Sequence, residues 1–419
     1  MIAMPDWYTS LQPSDEDQQL CDRARRVIPG GMYGHKNVAL LPKGYPQFFE
    51  RGSGALLWDV SGREYVDLMC SWGPVVLGHH NRAVDSAVAD QAARGDCLDG
   101  PSPVMVELAE LMTDTVSHAD WAIFCKNGTD ATSLAVSIAR AETNRGRVLM
   151  AEGAYHGIAP WSATEHARGV RAQERAGTER YTYNDISSLE RAVQACGGDL
   201  AAIAVTPIRH EVRRDLEDVH PDFARRVREL CDRLGAVLIL DEIRCGLRAD
   251  PRGSWEHLGI RPDLSAWSKA IGNGYPIACL LGVRALEEAA TSVSATGSFW
   301  LGAVPMAAAL ATIGEVRRPD VLAGMVLAGS ALQTGLRERA AAHGISVSVS
   351  GPPTMPFMTF EGDTDFDIAR LWAAACIQHG LYVHPTHNWF IGAAHTSVLI
   401  ERSLEASDQA FRLVRLTLS

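Results

Sequence analysis

The feature of this sequence that most constrains its fold is a repeated alternation of short apolar runs with longer stretches of helical periodicity. The apolar runs carry no charged residue, which is typical of strands buried on both faces of a sheet. They lie at residues 121–124, 148–150, 200–205, 236–240 and 278–281, with helical patterns at 130–140 and 222–234. The alternation predicts an α/β fold with a mainly parallel sheet covered by helices. Because such sheets bind ligands at the carboxyl ends of their strands, the residues after each run are the candidate site.

The two ends of the chain have a different pattern. Residues 54–67 resemble two strands joined by a Ser61-Gly62 turn. The C-terminal part contains a helical pattern at 321–343, strand-like segments at 346–350 and 354–360, and a closing helix from Ser403. We predict that both ends pack together into a smaller α/β domain. The expected boundaries are 1–66 for the N-terminal segment, 67–316 for the large domain and 317–419 for the C-terminal part, with a hinge where Pro319 follows a helix.

Charge and cysteine usage exclude several classes of protein. The formal net charge is −11, the opposite of what a nucleic-acid binder relying on phosphate contacts requires. The nine cysteines are scattered, which fits neither a disulfide framework nor a zinc site, so we expect no metal and a reducing cytoplasm. The first residues lack the features of a secretory signal, and the longest apolar stretch, 302–314, is too short to span a bilayer. We therefore expect a cytoplasmic protein without a membrane partner.

Two charged residues follow buried runs of the predicted sheet. Asp241 comes directly after the run 236–240, and Lys269 lies in the glycine-containing segment 267–274. An ionised carboxylate at the end of a buried strand needs a partner, because burying it alone is costly. The glycines after Lys269 permit the close approach of another group. The two residues therefore predict either a structural ion pair or part of a functional site.

Three further segments offer groups that bind small molecules. Residues 127–129 (Asn-Gly-Thr) follow a predicted strand and open a helix, whose free amides would cradle a phosphate. Tyr155 follows another strand and offers a ring for stacking, and residues 295–300 supply hydroxyl groups before a helix. Each segment alone also fits a helix cap or a half-buried side chain. Together with an acid for a ring nitrogen and an amine for an aldehyde, they match the requirements of pyridoxal 5′-phosphate (PLP).

Four segments of the chain carry a resemblance to a known family. They are Cys-Ser-Trp-Gly-Pro-Val-Val-Leu-Gly-His at 70–79, Asp-Glu-Ile-Arg-Cys-Gly-Leu-Arg at 241–248, Ser-Lys-Ala-Ile-Gly-Asn-Gly-Tyr-Pro at 268–276 and Ala-His-Thr at 394–396. In these segments the chain resembles the class III PLP-dependent aminotransferases of fold type I, and among them glutamate-1-semialdehyde aminomutase. The resemblance runs from about Pro29 to Phe411, and the order and spacing of the segments make it specific.

The resemblance implies the fold and the roles of site residues. It implies a large domain with a mainly parallel seven-stranded sheet, and a homodimer with shared active sites. Lys269 would form the Schiff base and carry protons, Asp241 would pair with the pyridinium, and Tyr155 would lie on the ring face. The implied cofactor-binding residues are Asn127, Gly128, Thr129, Tyr155, Asp241, Lys269, Ser298 and Thr296, with Ser298 or Thr296 reaching the phosphate of the neighbouring subunit.

Departures from the family pattern bear on the substrate. Trp389 stands where the aminomutase has a glutamate, and Cys245 where threonine is usual. These changes argue against aminomutase activity and favour a flat, polar substrate. Expected substrate-contacting residues are Tyr33, His35, Trp72, Asp99, Cys245, Trp300 and Trp389, although each aromatic residue fits core packing as readily. The pattern resembles actinobacterial aminotransferases of aminoglycoside biosynthesis, in particular the gentamicin-pathway group acting at C-6′, and the Asp99 carboxylate would suit a cationic amino sugar.

The leading hypothesis is an aminotransferase that takes an amino group from an amino acid and places it on an oxidised aminoglycoside carbon. Arg248, Arg244 and Arg209 are the candidates for holding the donor carboxylate, and the sequence does not choose among them. The alternatives are an epimerase of an amine-bearing carbon with Cys245 as a second proton carrier, the 2,1-aminomutase itself, and a non-catalytic PLP-binding regulator. The epimerase would take up solvent deuterium without a keto acid.

Overall fold

The computed structural model describes residues 4–34, 37, 41–164 and 166–418. The strands are β1 Phe49–Ser53, β2 Leu56–Asp59, β3 Glu64–Asp67, β4 Trp121–Cys125, β5 Arg147–Ala151, β6 Thr178–Tyr181, β7 Leu200–Val205, β8 Ile208–Arg209, β9 Glu217–Asp218, β10 Val237–Asp241, β11 Leu264–Trp267, β12 Ala278–Gly282, β13 Val347–Ser350, β14 Phe357–Phe360 and β15 Leu381–Tyr382. The helices are α1 Asp6–Thr9, α2 Asp15–Val27, α3 Arg82–Ala92, α4 Pro103–Thr115, α5 Gly128–Thr143, α6 Ala172–Arg175, α7 Ile186–Ala195, α8 Pro221–Leu234, α9 Glu287–Ser292, α10 Ala303–Val316, α11 Pro319–Ala342, α12 Asp367–Gln378 and α13 Ser397–Leu418. Among the helices of this part of the chain, none has the length and apolar character that crossing a bilayer requires.

A seven-stranded sheet with the order β4-β12-β11-β10-β7-β5-β6 forms the centre of the molecule. Strands β11, β10, β7, β5 and β6 pair in parallel, and only β12 runs antiparallel to its neighbours β11 and β4. Every residue of β7 and β10 is buried, as their uninterrupted apolar runs predict. The predicted mainly parallel α/β sheet is therefore confirmed. The reversal of β12 was not predicted, because an apolar run carries no information about strand direction.

The helices that flank this sheet begin and end at recognisable residues. Helix α5 starts with a capping box, in which the Asn127 side chain accepts from the Asp130 amide and the Asp130 carboxylate accepts in return. Helix α8 opens with Pro221 and ends at Leu234, where Gly235 caps it; the Gly235 φ of +60° is the left-handed conformation that favours glycine. These caps fix where each helix leaves its strand, and so fix the position of the loops between them.

A second sheet joins the two ends of the chain. Its order is β1-β2-β3-β15, and the C-terminal strand β15 pairs in parallel with the N-terminal strand β3. The expected packing of both ends into a smaller unit agrees with this pairing. Helix α10 ends at Val316 and α11 starts at Pro319, on either side of the expected hinge. The residue boundaries of the domains remain a prediction.

Arg248 ties the C-terminal part to the large sheet. Its side chain is almost completely buried, and its Nη1 donates to the Ile391 carbonyl at 2.7 Å. Its Nη2 donates to the carbonyls of Gly73 and Val75, at 2.9 and 3.1 Å, and the guanidinium lies over the Phe390 ring. A cation with five donors is well suited to satisfying several buried carbonyls at once. Arg248 therefore has a structural role in joining three segments of the chain.

Helix α11 offers a matched test of close packing. A Cβ atom at Gly329 would lie 1.8 Å from the Pro353 carbonyl oxygen, whereas one at the exposed Gly324 would meet nothing within 4 Å. We expect Gly329→Ala to lower the free energy of unfolding by about 1–3 kcal/mol, because overpacking forces the backbone to shift. Gly324→Ala should be neutral or raise it by up to about 1 kcal/mol, because alanine favours a helix. Thermal unfolding of the two variants tests this, and equal midpoints would contradict the close approach.

Candidate active site

Loops after five strands of the large sheet enclose a cavity of about 270 Å³. These loops follow β4, β5, β7, β10 and β11, and they meet because the carboxyl ends of parallel strands lie on one edge of the sheet. The cavity is lined by Asn127, Gly128, Thr129, Tyr155, His156, Gly157, His210, Asp241, Ile243, Arg244, Ser268 and Lys269. Six of the predicted site residues are among them: Asn127, Gly128, Thr129, Tyr155, Asp241 and Lys269. The segments that the sequence singled out are thus brought together.

The N-terminus of α5 forms one wall of the cavity. The Gly128 and Thr129 amides stand in its first turn, where a helix has no internal acceptors. A Cβ atom at Gly128 would lie 2.5 Å from the Ile243 side chain, and one at Gly157 would lie 2.4 Å from the Thr129 hydroxyl. Gly157 also has a φ of +110°, which other residues rarely adopt. Bare backbone and a positive helix end therefore face the cavity, an arrangement that suits a phosphate.

Asp241, the last residue of β10, forms a buried pair with His156. Its Oδ2 lies 2.7 Å from His156 Nδ1, and its Oδ1 accepts from the Ile243 amide at 3.1 Å. The other ring nitrogen, His156 Nε2, is buried and has no hydrogen-bond partner among the described residues. Sequence reasoning placed Asp241 here and missed His156. Its position directly after Tyr155, at the end of a parallel strand, was the only available signal.

Lys269 follows β11, lines the same cavity as Asp241 and interacts electrostatically with its carboxylate. Its backbone has a φ of +49°, and a Cβ at Gly73 would lie 3.4 Å from its Cδ. Burial lowers the pKa of the amine from 10.5 to about 7; the Arg244 guanidinium also lowers it, and Asp241 acts in the opposite direction. A substantial fraction of the amine is therefore neutral at neutral pH, as a nucleophile or base must be.

Tyr155 differs from the other lining residues in its exposure. Its side chain is 59% exposed, although it belongs to the cavity wall. An aromatic ring at the mouth of a cavity offers a face for stacking against a flat ligand.

Two further cavity residues carry nitrogen groups. Arg244 Nη1 donates to the His210 carbonyl at 3.1 Å and to Asn388 Oδ1 at 2.8 Å. Burial lowers the pKa of Arg244 to about 10 and brings the pKa of His210 well below its ordinary value, to which Arg244 contributes. His210 is therefore neutral at neutral pH. The sequence named Arg244 only as one of three candidates and did not name His210 as a site residue, because histidine in a loop is common.

Trp72 lies beside a second cavity of about 400 Å³. It is half-buried, with its ring centroid 5.0 Å from that of His384 and 4.6 Å from that of His387. His387 is followed by Asn388, the partner of Arg244, so the second cavity lies next to the first. Trp72 is therefore in a position to contact a substrate that extends out of the first cavity.

Three expected substrate residues are packed in the interior. Trp389 is only 1% exposed, is stacked on Trp372 at 5.5 Å and donates to the His384 carbonyl. Cys245 is completely buried, and burial raises the pKa of its thiol, which keeps it neutral. Trp300 is half-buried and packs against a small apolar cluster that includes Cys125 and Ala266. None of the three lines either of these cavities, because their apolar side chains are packed against other apolar residues instead.

Four of the remaining predicted residues do not line the cavity. Tyr33, Asp99, Thr296 and Ser298 are exposed on the surface. His35 falls outside the described residues. Within the described part of the chain, no group of three or more histidine, cysteine or acidic side chains is arranged to hold a metal ion.

The lining residues fit PLP on several independent observations. The α5 N-terminus suits its phosphate, the Asp241 carboxylate suits its ring nitrogen, and the Lys269 amine suits its aldehyde. The orphaned His156 Nε2 and the two glycines without room for a side chain indicate a cavity built for a ligand. The residues present are therefore compatible with this cofactor.

The pKa of Lys269 is testable in the apoprotein. We expect reductive methylation of Lys269 to reach half its limiting rate near pH 7, because burial disfavours the charged amine. Arg244→Gln should move this midpoint upwards, since it removes a like charge, and Asp241→Asn should move it downwards. Mass spectrometry of the labelled peptide gives the rate, with the exposed Lys43 as internal reference. A midpoint near 10 would contradict the assignment.

Comparison with known proteins agrees with this geometry. The family described as "Aminotransferase class-III" matches residues 41–408. The aminopentol aminotransferase of Sphingopyxis macrogoltabida is 48% identical over 397 residues, which cover 95% of this chain and 94% of that protein. A glutamate-1-semialdehyde 2,1-aminomutase of Roseiflexus castenholzii is 32% identical, covering 95% and 97% of the two chains.

A solved structure extends the similarity to the fold. The FumI protein of Sphingopyxis sp. MTA144, in a form that contains PLP, superposes with a TM-score of 0.94 at 47% identity. The match covers 96% of this chain and 97% of that chain. The expected PLP-dependent transferase fold and the cofactor are thus confirmed. The chain belongs to the class III aminotransferase family and is a PLP-dependent aminotransferase.

Proposed function

We propose that this enzyme exchanges an amino group between an amino-acid donor and the carbonyl carbon of a polyhydroxylated acceptor. An oxidised amino sugar of the aminoglycoside type is one member of this acceptor class. The observation that carries the proposal is the arrangement of Lys269, the Asp241–His156 pair and Arg244 around one cavity. An amine, an acid and a guanidinium without an ion-pair partner in one cavity suit proton transfer on a substrate that carries a carboxylate in one half of the reaction.

Lys269 carries the proton in both halves of the reaction. PLP supplies an aldehyde that captures amines and a ring that accepts the electrons of a C–H bond broken beside the nitrogen. With a pKa of about 7, the Lys269 amine is able to accept a proton from the substrate carbon and to return it. The same side chain therefore serves amine removal and amine addition.

Asp241 and His156 act together at the ring nitrogen. The Asp241 carboxylate holds that nitrogen in its cationic form, because an opposite charge stabilises the protonated state. The His156 contact at 2.7 Å fixes the orientation of the carboxylate. His156 is therefore a positioning residue that acts through Asp241.

The phosphate site is completed by a second copy of the chain. The Gly128 and Thr129 amides bind one side of the phosphate. Ser298, or Thr296 beside it, donates a hydroxyl to the phosphate of the neighbouring subunit. Both hydroxyl residues are exposed, and the adjoining Phe299 side chain is 67% exposed, which supports a contact surface at this loop. The protein is therefore a homodimer in this proposal.

The acceptor class rests on the relative and on the second cavity. The most relevant relative is named for aminopentol, an amine that carries several hydroxyl groups. The second cavity beside Trp72 offers an aromatic face together with the imidazoles of His384 and His387, which suit a hydroxylated carbon skeleton. An acyclic polyhydroxylated amine and an amino sugar share this chemistry. We therefore propose polyhydroxylated compounds as the substrate class, and experiment decides which compound of this class the enzyme uses.

The epimerase alternative is less well supported. It requires a second proton carrier, for which Cys245 was the candidate. This thiol is completely buried, does not line the cavity, and is kept protonated because burial raises its pKa. A buried neutral thiol is a poor base.

The acceptor class is testable by single-turnover reactions of the PLP-loaded enzyme. We expect aminopentol-type amines and amino sugars with a primary amine to convert the bound cofactor to pyridoxamine phosphate, which is followed by absorbance. Lys269→Ala should slow this conversion about 10²–10⁴-fold, because the proton carrier is lost. Deuterium uptake with inverted configuration and no pyridoxamine phosphate would overturn aminotransfer in favour of epimerisation.

The role of His156 has a separate test. We expect His156→Phe to weaken PLP binding by the apoenzyme about 10–100-fold, because the charged hydrogen bond to Asp241 is lost. His156→Gln retains a donor and should restore part of the affinity. Fluorescence titration with PLP measures both variants. Unchanged affinity of the phenylalanine variant would show that Asp241 needs no positioning partner.

A further inference from the structure

Arg244 brings a positive charge into the active-site cavity without an acidic partner. Its guanidinium belongs to the cavity wall, and none of the ion pairs in the described part of the chain includes it. The nearby carboxylate of Asp241 is already engaged, with one oxygen on His156 and the other on the Ile243 amide. No acidic side chain of the described residues therefore forms an ion pair with Arg244, although the charge of nearby Asp241 acts to raise its pKa.

The other two arginine candidates for carboxylate binding are already committed. Arg248 is buried, and its two terminal nitrogens donate to the carbonyls of Ile391, Gly73 and Val75. Arg209 pairs with Glu217 at 2.7 Å and does not line the cavity. Arg244 is the one of the three whose binding capacity remains open.

The hydrogen bonds of Arg244 leave its Nη2 nitrogen available. Its Nη1 donates to the His210 carbonyl and to Asn388 Oδ1. Nη2 makes no hydrogen bond to the described residues, whereas Nε, which also lacks a partner among them, is covered by neighbouring atoms. A charged N–H group such as Nη2 makes strong hydrogen bonds to a carboxylate. The anchored Nη1 fixes the direction of Nη2.

The surroundings of Arg244 favour an anion as its ligand over a neutral group. Burying a charge without a partner is costly. The imidazoles of His210 and His387, which interact with Arg244, are neutral because burial and the Arg244 charge lower their pKa values. The phosphate of PLP binds elsewhere in this proposal, at the Gly128 and Thr129 amides of the α5 N-terminus. The anion that pairs with Arg244 is therefore a second one.

We propose that Arg244 binds the carboxylate of the amino-acid donor and of the keto acid formed from it. This inference rests on the proposed function and names the residue that selects the donor. Asn388, which anchors the guanidinium, belongs to the C-terminal part of the chain, so the donor site is formed by both domains. The hydroxylated substrate has no carboxylate and extends instead towards Trp72.

The test compares the two half-reactions in matched variants. We expect Arg244→Gln to raise the half-saturating concentration of amino-acid donor and keto acid about 10–100-fold, because an ion pair with charge-assisted hydrogen bonding is lost. Arg244→Lys keeps the charge but not the geometry of the guanidinium and should have an intermediate effect. Arg244→Gln also raises the pKa of Lys269, so both half-reactions are measured above that pKa, where the amine is neutral in the parent and in the variant. Under these conditions the half-saturating concentration of a carboxylate-free hydroxylated amine should change less than about 3-fold. Arg209→Gln, outside the cavity, is the matched control and should change neither half-reaction.

A binding measurement supplies a readout independent of turnover. Glutarate and propionate carry a carboxylate but no amine, and calorimetric titration of the PLP-loaded enzyme measures their affinity. We expect Arg244→Gln to abolish this binding while the absorbance of bound PLP and the unfolding midpoint stay as in the parent. Retained binding, or an equal loss in both half-reactions, would overturn the proposal.

Failure of the proposed acceptor class has a different signature. If the parent enzyme does not react with hydroxylated amines but Arg244→Gln still loses the amino-acid half-reaction and glutarate binding selectively, the acceptor class is wrong and the role of Arg244 stands. If hydroxylated amines react and Arg244→Gln leaves the amino-acid half-reaction intact, the acceptor class stands and the role of Arg244 is wrong.

Discussion

The charge balance around the Asp241 carboxylate is the interaction on which the rest of the site depends. This acid lies at the end of β10, interacts electrostatically with the Lys269 amine and the Arg244 guanidinium, and is hydrogen-bonded to His156. The sheet makes this possible, because parallel strands bring the loops after β5, β10 and β11 to one edge. Burial then strengthens the interactions between these charges, so that a neighbouring charged side chain determines which nitrogen carries a proton.

The fold positions these groups through rigid backbone rather than through long side chains. The capping box of Asn127 and Asp130 fixes the start of α5, and Gly128 and Gly157 approach their neighbours so closely that a Cβ atom has no room. Arg248 and the β3–β15 pairing hold the C-terminal part against this framework, and they bring Asn388 within reach of Arg244. The cavity therefore depends on the C-terminal part of the chain as well as on the loops of the large sheet.

The sequence predicted the parts of the site that depend on local pattern. Asp241 and the Gly128-Thr129 segment come after apolar runs, so a rule about strand ends is enough to find them. Lys269 was found from its glycine-containing segment and from the family resemblance. His156 and Arg244 were not assigned, because their roles arise from partners distant in the chain. Trp389 was expected at the substrate and lies in the core, since an aromatic residue in a loop gives no sign of which side it packs against. The strands β6 and β11 and the antiparallel direction of β12 were not predicted either, because they depend on hydrogen-bond pairing with strands distant in the chain.

The lowered pKa of Lys269 has a consequence for how the enzyme treats its ligands. Part of the lowering comes from the positive charge of Arg244, so any anion that neutralises this charge makes the amine more basic. With a ligand carboxylate on Arg244, as proposed above, ligands with and without a carboxylate would meet a Lys269 amine of different pKa. The pH optimum of the enzyme would then be a property of each ligand pair rather than of the protein alone.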